Sequence, residues 1–276
     1  SGFTHGTDVW LGNARDLIIS GSVGTQECVG CRDDIMIYLI SKGIDAKLAF
    51  KIMEAVRKGK VKKGGFQDGW VETMKAHDVP EWYIDSLAKI GYLFPKAHAV
   101  AYVMMALRIA WFKVHRPLAF YAAFFSIRAK AFDEKYMCRG MEVVKQKIKE
   151  ISDKKNAKDK ADRPSAVEED MLVTLEVCYE FYLRGFTFAR MDISRSHAVN
   201  FLVDEERGAL IPPFTSIAGL GETVGWDIMD KREGKTFISI EEFSLACTKV
   251  SNAHLTQLKD AGAFGDLPDS SQISLF

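Results

Sequence analysis

The sequence has 276 residues, of which 47% are hydrophobic and 27% charged, as in ordinary globular domains. Its 37 lysines and arginines are balanced by 37 aspartates and glutamates. This balance excludes a chain held on nucleic acid by its overall charge, so any such contact must be local. The most apolar region, 97–127, is interrupted by Arg108, Lys113, His115 and Arg116, and we expect no membrane-spanning segment.

The pattern of helix periodicity, proline and glycine predicts a mainly α protein with little sheet. The predicted elements of the first part of the chain are a glycine-rich loop over 1–30 with a short helix near 14–19, two helices in 31–59 that end at Gly43 and Gly59, a basic loop over 57–65, and two helices in 71–94 separated at Pro80. They are followed by a long helix from Pro95 to Pro117, a helix in 118–129, a basic helix over 134–155 and a charged loop over 152–165. The last part of the chain is predicted to form an amphipathic helix over 167–184, a β-hairpin in 196–214 with Gly208 in its turn, and short helices from 215 onward.

Five cysteines, an odd number, favour a reducing compartment over a disulfide framework. Cys28 and Cys31 have the Cys-x-x-Cys spacing, but zinc needs a second pair of ligands and the other cysteines are isolated. We interpret the pair as structural and predict no metal site. The sequence opens on serine rather than methionine and has no signal-peptide pattern, so we expect it to be a piece of a longer protein.

The long helix begins with an accumulation of positive potential. Lys96 and His98 fall in its first turn, where the helix dipole is already positive. Free N–H groups, a lysine and a histidine together suit an anion such as a phosphate chain. The alternative is that both side chains point into solvent.

The segment 57–63 contains five cations and no acid. Such a run is a solvated surface or a contact for a phosphate backbone, and the sequence leaves both open.

The segment 216–232 contains Gly219-Leu220-Gly221 before a helix, the pattern of a helix-hairpin-helix, whose backbone N–H groups face a DNA phosphate. Residues 211–276 hold five basic against nine acidic residues, so a merely structural hairpin is the alternative.

The remaining polar motifs do not form a complete active site. Asp33 and Asp34 lie at the start of a helix, where acids are expected as caps. No nucleophile with a partnered histidine is found, and we predict no catalytic residue in this chain. The C-terminal Leu275-Phe276 follows a polar segment and is typical of a peptide that docks in a partner's pocket.

These segments together resemble the C-terminal part of the PolC-type DNA polymerase III alpha subunit, the replicative polymerase of Gram-positive bacteria. The motifs that resemble its fingers domain are "HGTDVW" (5–10), "GCRDDIM" (30–36), "AFKIMEAVRKGK" (49–60), "HDVPEWYIDS" (77–86) and "FPKAHAVAYVMMALRIAWFKVHRP" (94–117). The segment 210–221 resembles its helix-hairpin-helix region, and "QISLF" (272–276) resembles its sliding-clamp-binding peptide.

The resemblance implies a multi-helix fingers domain over 1–185, a short β-hairpin with a small helix-hairpin-helix duplex-binding region over 186–262, and a flexible tail over 263–276. It implies a cytoplasmic DNA-directed DNA polymerase that binds deoxynucleoside triphosphates (dNTPs), primer-template DNA and the sliding clamp (beta subunit). Mg²⁺ would be bound by aspartates in the palm, upstream in the polymerase, so this chain alone is expected to be inactive. The partners are expected to include the rest of the polymerase chain and no membrane.

The resemblance also implies site residues. The dNTP-binding candidates are Lys96, His98, Arg32 and Arg108; the DNA-binding candidates are His5, Arg57, Lys58, Lys60, Gly219 and Gly221; the clamp-binding candidates are Gln272, Ile273, Ser274, Leu275 and Phe276. The alternative function is a non-catalytic module that binds DNA and the clamp, and a further one is a repair-type helix-hairpin-helix protein.

Overall fold

A computed structural model describes residues 1–157 and 159–270. The fold is mainly α-helical with small sheets of short strands, which confirms the predicted class. The chain divides into two compact units, Ser1–Ala110 and Trp111–Phe276. The three functional domains inferred from the resemblance stay a prediction.

Helices and one small sheet build the first unit. Its elements are β1 (Gly6–Thr7), α1 (Arg15–Ile19), α2 (Arg32–Ser41), α3 (Ala46–Arg57), α4 (Lys60–Gly64), α5 (Trp70–Ala76), α6 (Glu81–Lys89), β2 (Tyr92–Leu93) and the first part of α7 (Lys96–His115). A short 3₁₀ turn, Gly2–Thr4, precedes β1, and an irregular turn, Trp10–Ala14, precedes α1. β1 pairs antiparallel with β2, a sheet that the sequence patterns do not predict.

The helices of this unit form where apolar periodicity and local caps agree. Asp45 caps α3, because its Oδ1 accepts hydrogen bonds from the N–H groups of Lys47 and Leu48, both at 3.1 Å. The buried faces meet in one core that includes Ile35 and Ile52.

Helix α7 has an apolar composition without burial. None of its side chains is buried, and its most apolar window has a mean hydropathy of 1.3. By length and composition alone, this helix is able to cross a membrane. Arg108 and Lys113 do not lower the mean hydropathy of this helix enough to exclude it by composition, and the expectation of no membrane-spanning segment stays a prediction.

The second unit combines helices with a three-stranded sheet. It begins with the end of α7, α8 (Pro117–Ala123), a π-helical turn (Phe124–Arg128), α9 (Glu134–Met137), α10 (Met141–Lys155), a 3₁₀ turn (Lys160–Asp162) and α11 (Ala166–Leu183). The strands follow: β3 (Thr187–Phe188), β4 (Leu202–Asp204) and β5 (Ala209–Ile211). The unit ends with a 3₁₀ turn (Phe214–Ser216), α12 (Glu222–Arg232), α13 (Ile240–Ala246) and α14 (Asn252–Asp260). The sheet order is β3-β5-β4.

The β-hairpin is confirmed. β4 and β5 pair antiparallel, and Gly208 has a φ of +61° in the turn, a conformation that glycine adopts without a steric penalty. The parallel strand β3 was not predicted. It is only two residues long, too short for an alternating pattern.

Three predicted boundaries are wrong. The helix expected over 134–155 is divided into α9 and α10, since Gly140 has a φ of +105° that a helix cannot contain. The basic loop over 57–65 contains α4, and α10 extends into the charged segment that was predicted as a loop.

Candidate nucleotide and nucleic-acid site

Two hydrogen bonds join the N-termini of α2 and α7. The Arg32 N–H donates to the Phe94 carbonyl at 3.0 Å, and the Lys96 N–H donates to Asp33 Oδ2 at 2.6 Å. Asp34 caps its own helix, because its carboxylate accepts a hydrogen bond from the Cys31 N–H at 2.9 Å. Both aspartates therefore have the predicted capping role, but Asp33 caps α7, a helix far away in sequence.

This arrangement modifies the predicted anion site. The helix begins at Lys96 rather than at Pro95, and its first N–H is already bonded to a carboxylate. Among the described residues, neither the Lys96 ammonium nor the Arg32 guanidinium has an ion-pair partner. The cations that remain for an external anion are therefore side chains rather than the first backbone N–H.

A cluster of rings lies beside Lys96. The His98 ring stacks on Phe94 with centroids 4.6 Å apart, and it lies 5.3 Å from the ring of His5. Tyr102 completes the cluster, 4.7 Å from His98 and 5.0 Å from His5. The cluster joins His98, a dNTP candidate, to His5, a DNA candidate.

Sequence reasoning missed Phe94 and Tyr102. Each is four residues from His98, so a helical i, i+4 spacing of rings is the signal that could have identified Tyr102. Phe94 precedes the helix, and its contact depends on the turn at Pro95. No sequence rule gives that turn.

Arg108 is not part of this cluster. It is twelve residues beyond Lys96 on the same helix, about 18 Å along the axis. Its side chain is exposed, and no partner is found for it within the described ranges. Its assignment to the triphosphate stays a prediction.

A shallow pocket of about 360 Å³ borders Lys96 on another face of α7. Its lining includes Phe3, Ala99, Val103 and Met104, and it is mostly apolar. Gly2 packs against Gly30 there, and a Cβ on Gly2 would lie 2.6 Å from the Gly30 carbonyl oxygen.

The basic segment is partly neutralised. Glu54 binds both Arg57 and Lys58, the latter at 2.8 Å, and the hydrogen bond from Arg57 lowers the pKa of Glu54 to about 2. Lys62 binds Asp8 at 2.6 Å. In the part of the chain that the structure describes, Lys60 has no acidic partner. It is the candidate of this segment best placed to meet an external phosphate.

The glycine hairpin has free backbone donors. Gly219 has a φ of +82°, and Gly221 is the N-cap of α12. Among residues 1–157 and 159–270, no acceptor is found for the N–H groups of Gly219, Gly221 and Glu222, and all three residues are exposed. The element before the hairpin is only the turn Phe214–Ser216, so the motif has one regular helix beside its loop.

The Cys-x-x-Cys pair lies at the start of α2. Both thiols are buried and reduced, and burial raises the pKa of Cys31 to about 11. The described residues contain no group of three or more His, Cys, Asp and Glu side chains that could hold a metal ion. The interpretation of this pair as structural stays a prediction.

The clamp-binding candidates, Gln272 to Phe276, lie outside the described residues.

Comparison with known proteins gives a consistent picture. A family model described as a helix-hairpin-helix motif matches residues 185–272. The whole chain is 49% identical to a protein named DNA polymerase III PolC-type from Streptococcus pneumoniae serotype 2 strain D39, and 48% identical to one of the same name from Bacillus cereus. It is also 49% identical to that of Lactococcus lactis.

The chain covers 18% of the first two relatives and 16% of the third. The match extends over 100% of this chain in each case, from the ring cluster to the glycine hairpin. This chain is therefore similar, over its whole length, to a segment of proteins named DNA polymerase III PolC-type, and its residues 185–272 match a helix-hairpin-helix family model.

Proposed function

We propose that this chain is the part of a bacterial, cytoplasmic, DNA-directed DNA polymerase that binds the incoming dNTP and the primer-template DNA. The observation that supports this best is an identity of 46–49%, over the whole of this chain, to proteins named DNA polymerase III PolC-type. It is combined with the ring cluster at the start of α7 and with Lys96, which has no ion-pair partner among the described residues.

The triphosphate would contact side chains of α7. Lys96 contributes a compact positive charge that has no ion-pair partner among the described residues, and the Asp33 carboxylate is bonded to the Lys96 backbone N–H. His98 is held by Phe94 and Tyr102, so its ring nitrogen can be directed at a phosphate with little loss of rotamer freedom. These side chains hold the phosphates while the primer hydroxyl attacks.

No group of carboxylates among the described residues fits magnesium. Asp33 and Asp34 use their carboxylates as helix caps, and Glu54 is neutralised by two cations. Aspartates elsewhere in the polymerase would hold the ions, and this chain supplies the substrate contacts only.

DNA would contact two places in this chain, one in each unit. In the first unit the contacts would be Lys60, a cation of the basic segment without an acidic partner among the described residues, and His5 in the ring cluster. In the second unit, the unpaired N–H groups of the glycine hairpin suit a phosphate, although Glu222 weakens that site by its charge.

The membrane is not a proposed partner, despite the apolar α7. Arg108 lies in the body of this helix, and an arginine at the centre of a bilayer costs about 2.5–3.5 kcal/mol. We propose that α7 is covered by the remaining segments of the polymerase. Flotation of the chain with neutral phospholipid vesicles would overturn this.

The test of the nucleotide site is Lys96→Ala in the full-length polymerase. We expect a KM for dNTP raised about tenfold or more, or a lowered kcat, with DNA affinity nearly unchanged. Lys51→Ala is the matched control, because Lys51 is an exposed lysine on α3 away from the ring cluster. Unchanged kinetics of Lys96→Ala would refute the assignment.

The second candidate function is a non-catalytic module that binds DNA and the sliding clamp. The helix-hairpin-helix match over residues 185–272 favours it for the isolated chain. A primer-extension assay separates the two: we expect no extension by this chain alone and restored extension only within the full-length polymerase.

A further inference from the structure

A cavity of about 540 Å³ in the second unit is lined by an unusual number of cations. They come from the loop after β3, from the β4–β5 turn and from the end of α12. The cationic lining residues are Arg190, Arg195, Arg207, Arg232 and Lys235. Asp192 is the one acid in the described lining. The cavity does not include the glycine hairpin, so it is a separate surface of this unit.

The charges in the cavity are only partly compensated. Arg195 and Arg207 share one carboxylate, that of Asp204, at 3.2 and 3.9 Å. Lys235 binds Glu242 at 3.1 Å. Within the described ranges, no ion-pair or hydrogen-bond partner is found for Arg190, whose side chain is exposed.

Arg232 is held in place rather than free. Its Nη1 donates to the Ile193 carbonyl at 2.8 Å, and its guanidinium lies 5.7 Å from the ring centre of Phe214. A guanidinium has five N–H donors, so donors remain after this bond is made. A fixed arginine with spare donors loses little entropy when it binds an oxyanion.

The surrounding sequence makes this concentration of charge unexpected. Residues 211–276 hold five basic and nine acidic residues, yet two of those five cations line this one cavity. A solvated surface would not need cations from three separate segments around one concavity. A polyanion that passes over the cavity would be held by all of them.

We propose that this cavity binds the phosphodiester backbone of DNA, as a second contact distinct from the glycine hairpin. Arginine forks match phosphate oxygens in a bidentate way, which suits Arg190 and Arg207 at the rim and Arg232 in the wall. The inference rests on the proposed DNA-binding function and adds residues that no motif in the sequence indicates.

The experiment measures binding of the 276-residue chain to fluorescent oligothymidine and to a duplex of equal length, by anisotropy at about 50–200 mM salt. The test variant is Arg190→Ala with Arg207→Ala. The control is Lys145→Ala with Lys149→Ala, which removes two exposed charges from α10 in the same unit. Circular dichroism checks that both variants fold.

We expect the test variant to bind DNA about tenfold more weakly, with a salt slope reduced by about two, and the control to change less than about twofold. Weaker binding of the test variant to oligothymidine alone identifies a single strand in the cavity, and weaker binding to the duplex identifies a double strand.

Equal affinities of the wild type and the test variant for both DNAs would overturn the inference. Failure of the wild-type chain to bind either DNA would instead refute the proposed DNA-binding function. Polyglutamate that competes as well as DNA would show an acidic peptide site and overturn the inference too.

Discussion

The Asp33 carboxylate accepts a hydrogen bond from the Lys96 N–H at 2.6 Å, so an acid of α2 caps the helix that is proposed to hold the triphosphate. The same acid stabilises the start of α7 and places a negative charge where a phosphate would approach. Stability and nucleotide affinity are therefore opposed at this residue.

Asp33→Asn separates the two effects. The amide oxygen can still accept from the Lys96 N–H, while the charge is removed. We expect tighter dNTP binding, seen as a KM lowered about two- to fivefold in the full-length polymerase, with a stability loss below about 1 kcal/mol. Asp33→Ala removes the acceptor as well and should cost about 1 kcal/mol in urea unfolding. A raised KM for Asp33→Asn would contradict the argument that the negative charge of Asp33 weakens dNTP binding.

The sequence predicted the elements of this region better than their contacts. Periodicity and caps gave α2, α3 and α7 within a few residues, because those signals are local. The pairing of Asp33 with α7 was not predictable, since it joins residues 63 positions apart and any acid at a helix start satisfies the same local rule.

The ion cluster of Glu54 gives a pH-dependent stability. Arg57 and Lys58 lower the pKa of Glu54 from 4.5 to about 2, mainly through the hydrogen bond from Arg57. Because the folded-state pKa lies below the ordinary value, the stabilisation is complete above pH 4.5 and is lost as the pH falls toward 2. Urea unfolding of wild type and Glu54→Gln should therefore differ at pH 6 and converge in acid. A difference that stays constant over this range would show that the charge of Glu54 is not responsible.

The basic segment illustrates what charge patterns leave out. Five cations in seven residues favoured an uncompensated surface, yet Glu54 and Asp8, acids outside the run, bind three of them. One of these acids is on the preceding helix, within reach of an i, i+4 rule, and the other comes from the distant β1 region. Only the first could have been found in the sequence.

We expect any side chain at position 59 to lower the stability of the fold. The φ of Gly59 is +65°, and a Cβ there would collide with the Gly91 carbonyl oxygen, whose residue is bonded through its N–H to Thr7 at 2.9 Å. Gly59→Ala should lower the free energy of unfolding by at least about 2 kcal/mol. The control is Gly64→Ala in α4, where no atom lies within 4 Å of the added Cβ and no positive φ is found. Equal melting temperatures of the two variants would contradict the close packing of Gly59 on Gly91.

The C-terminal residues 272–276 carry the last prediction, which depends on the sequence alone. Deletion of Leu275 and Phe276 removes the two large apolar side chains that a clamp pocket would bury, and each such anchor is worth about 2 kcal/mol or more at the centre of an interface. We expect binding to a purified bacterial sliding clamp, measured by surface plasmon resonance, to weaken at least about a hundredfold.

Substitution of Ser270 and Ser271 by alanine is the matched control, because it alters the same tail without removing an apolar anchor. DNA binding of the deleted chain should be unchanged, since neither Leu275 nor Phe276 is among the residues proposed to contact DNA. Undiminished clamp binding after the deletion would mean that another surface of the chain contacts the clamp.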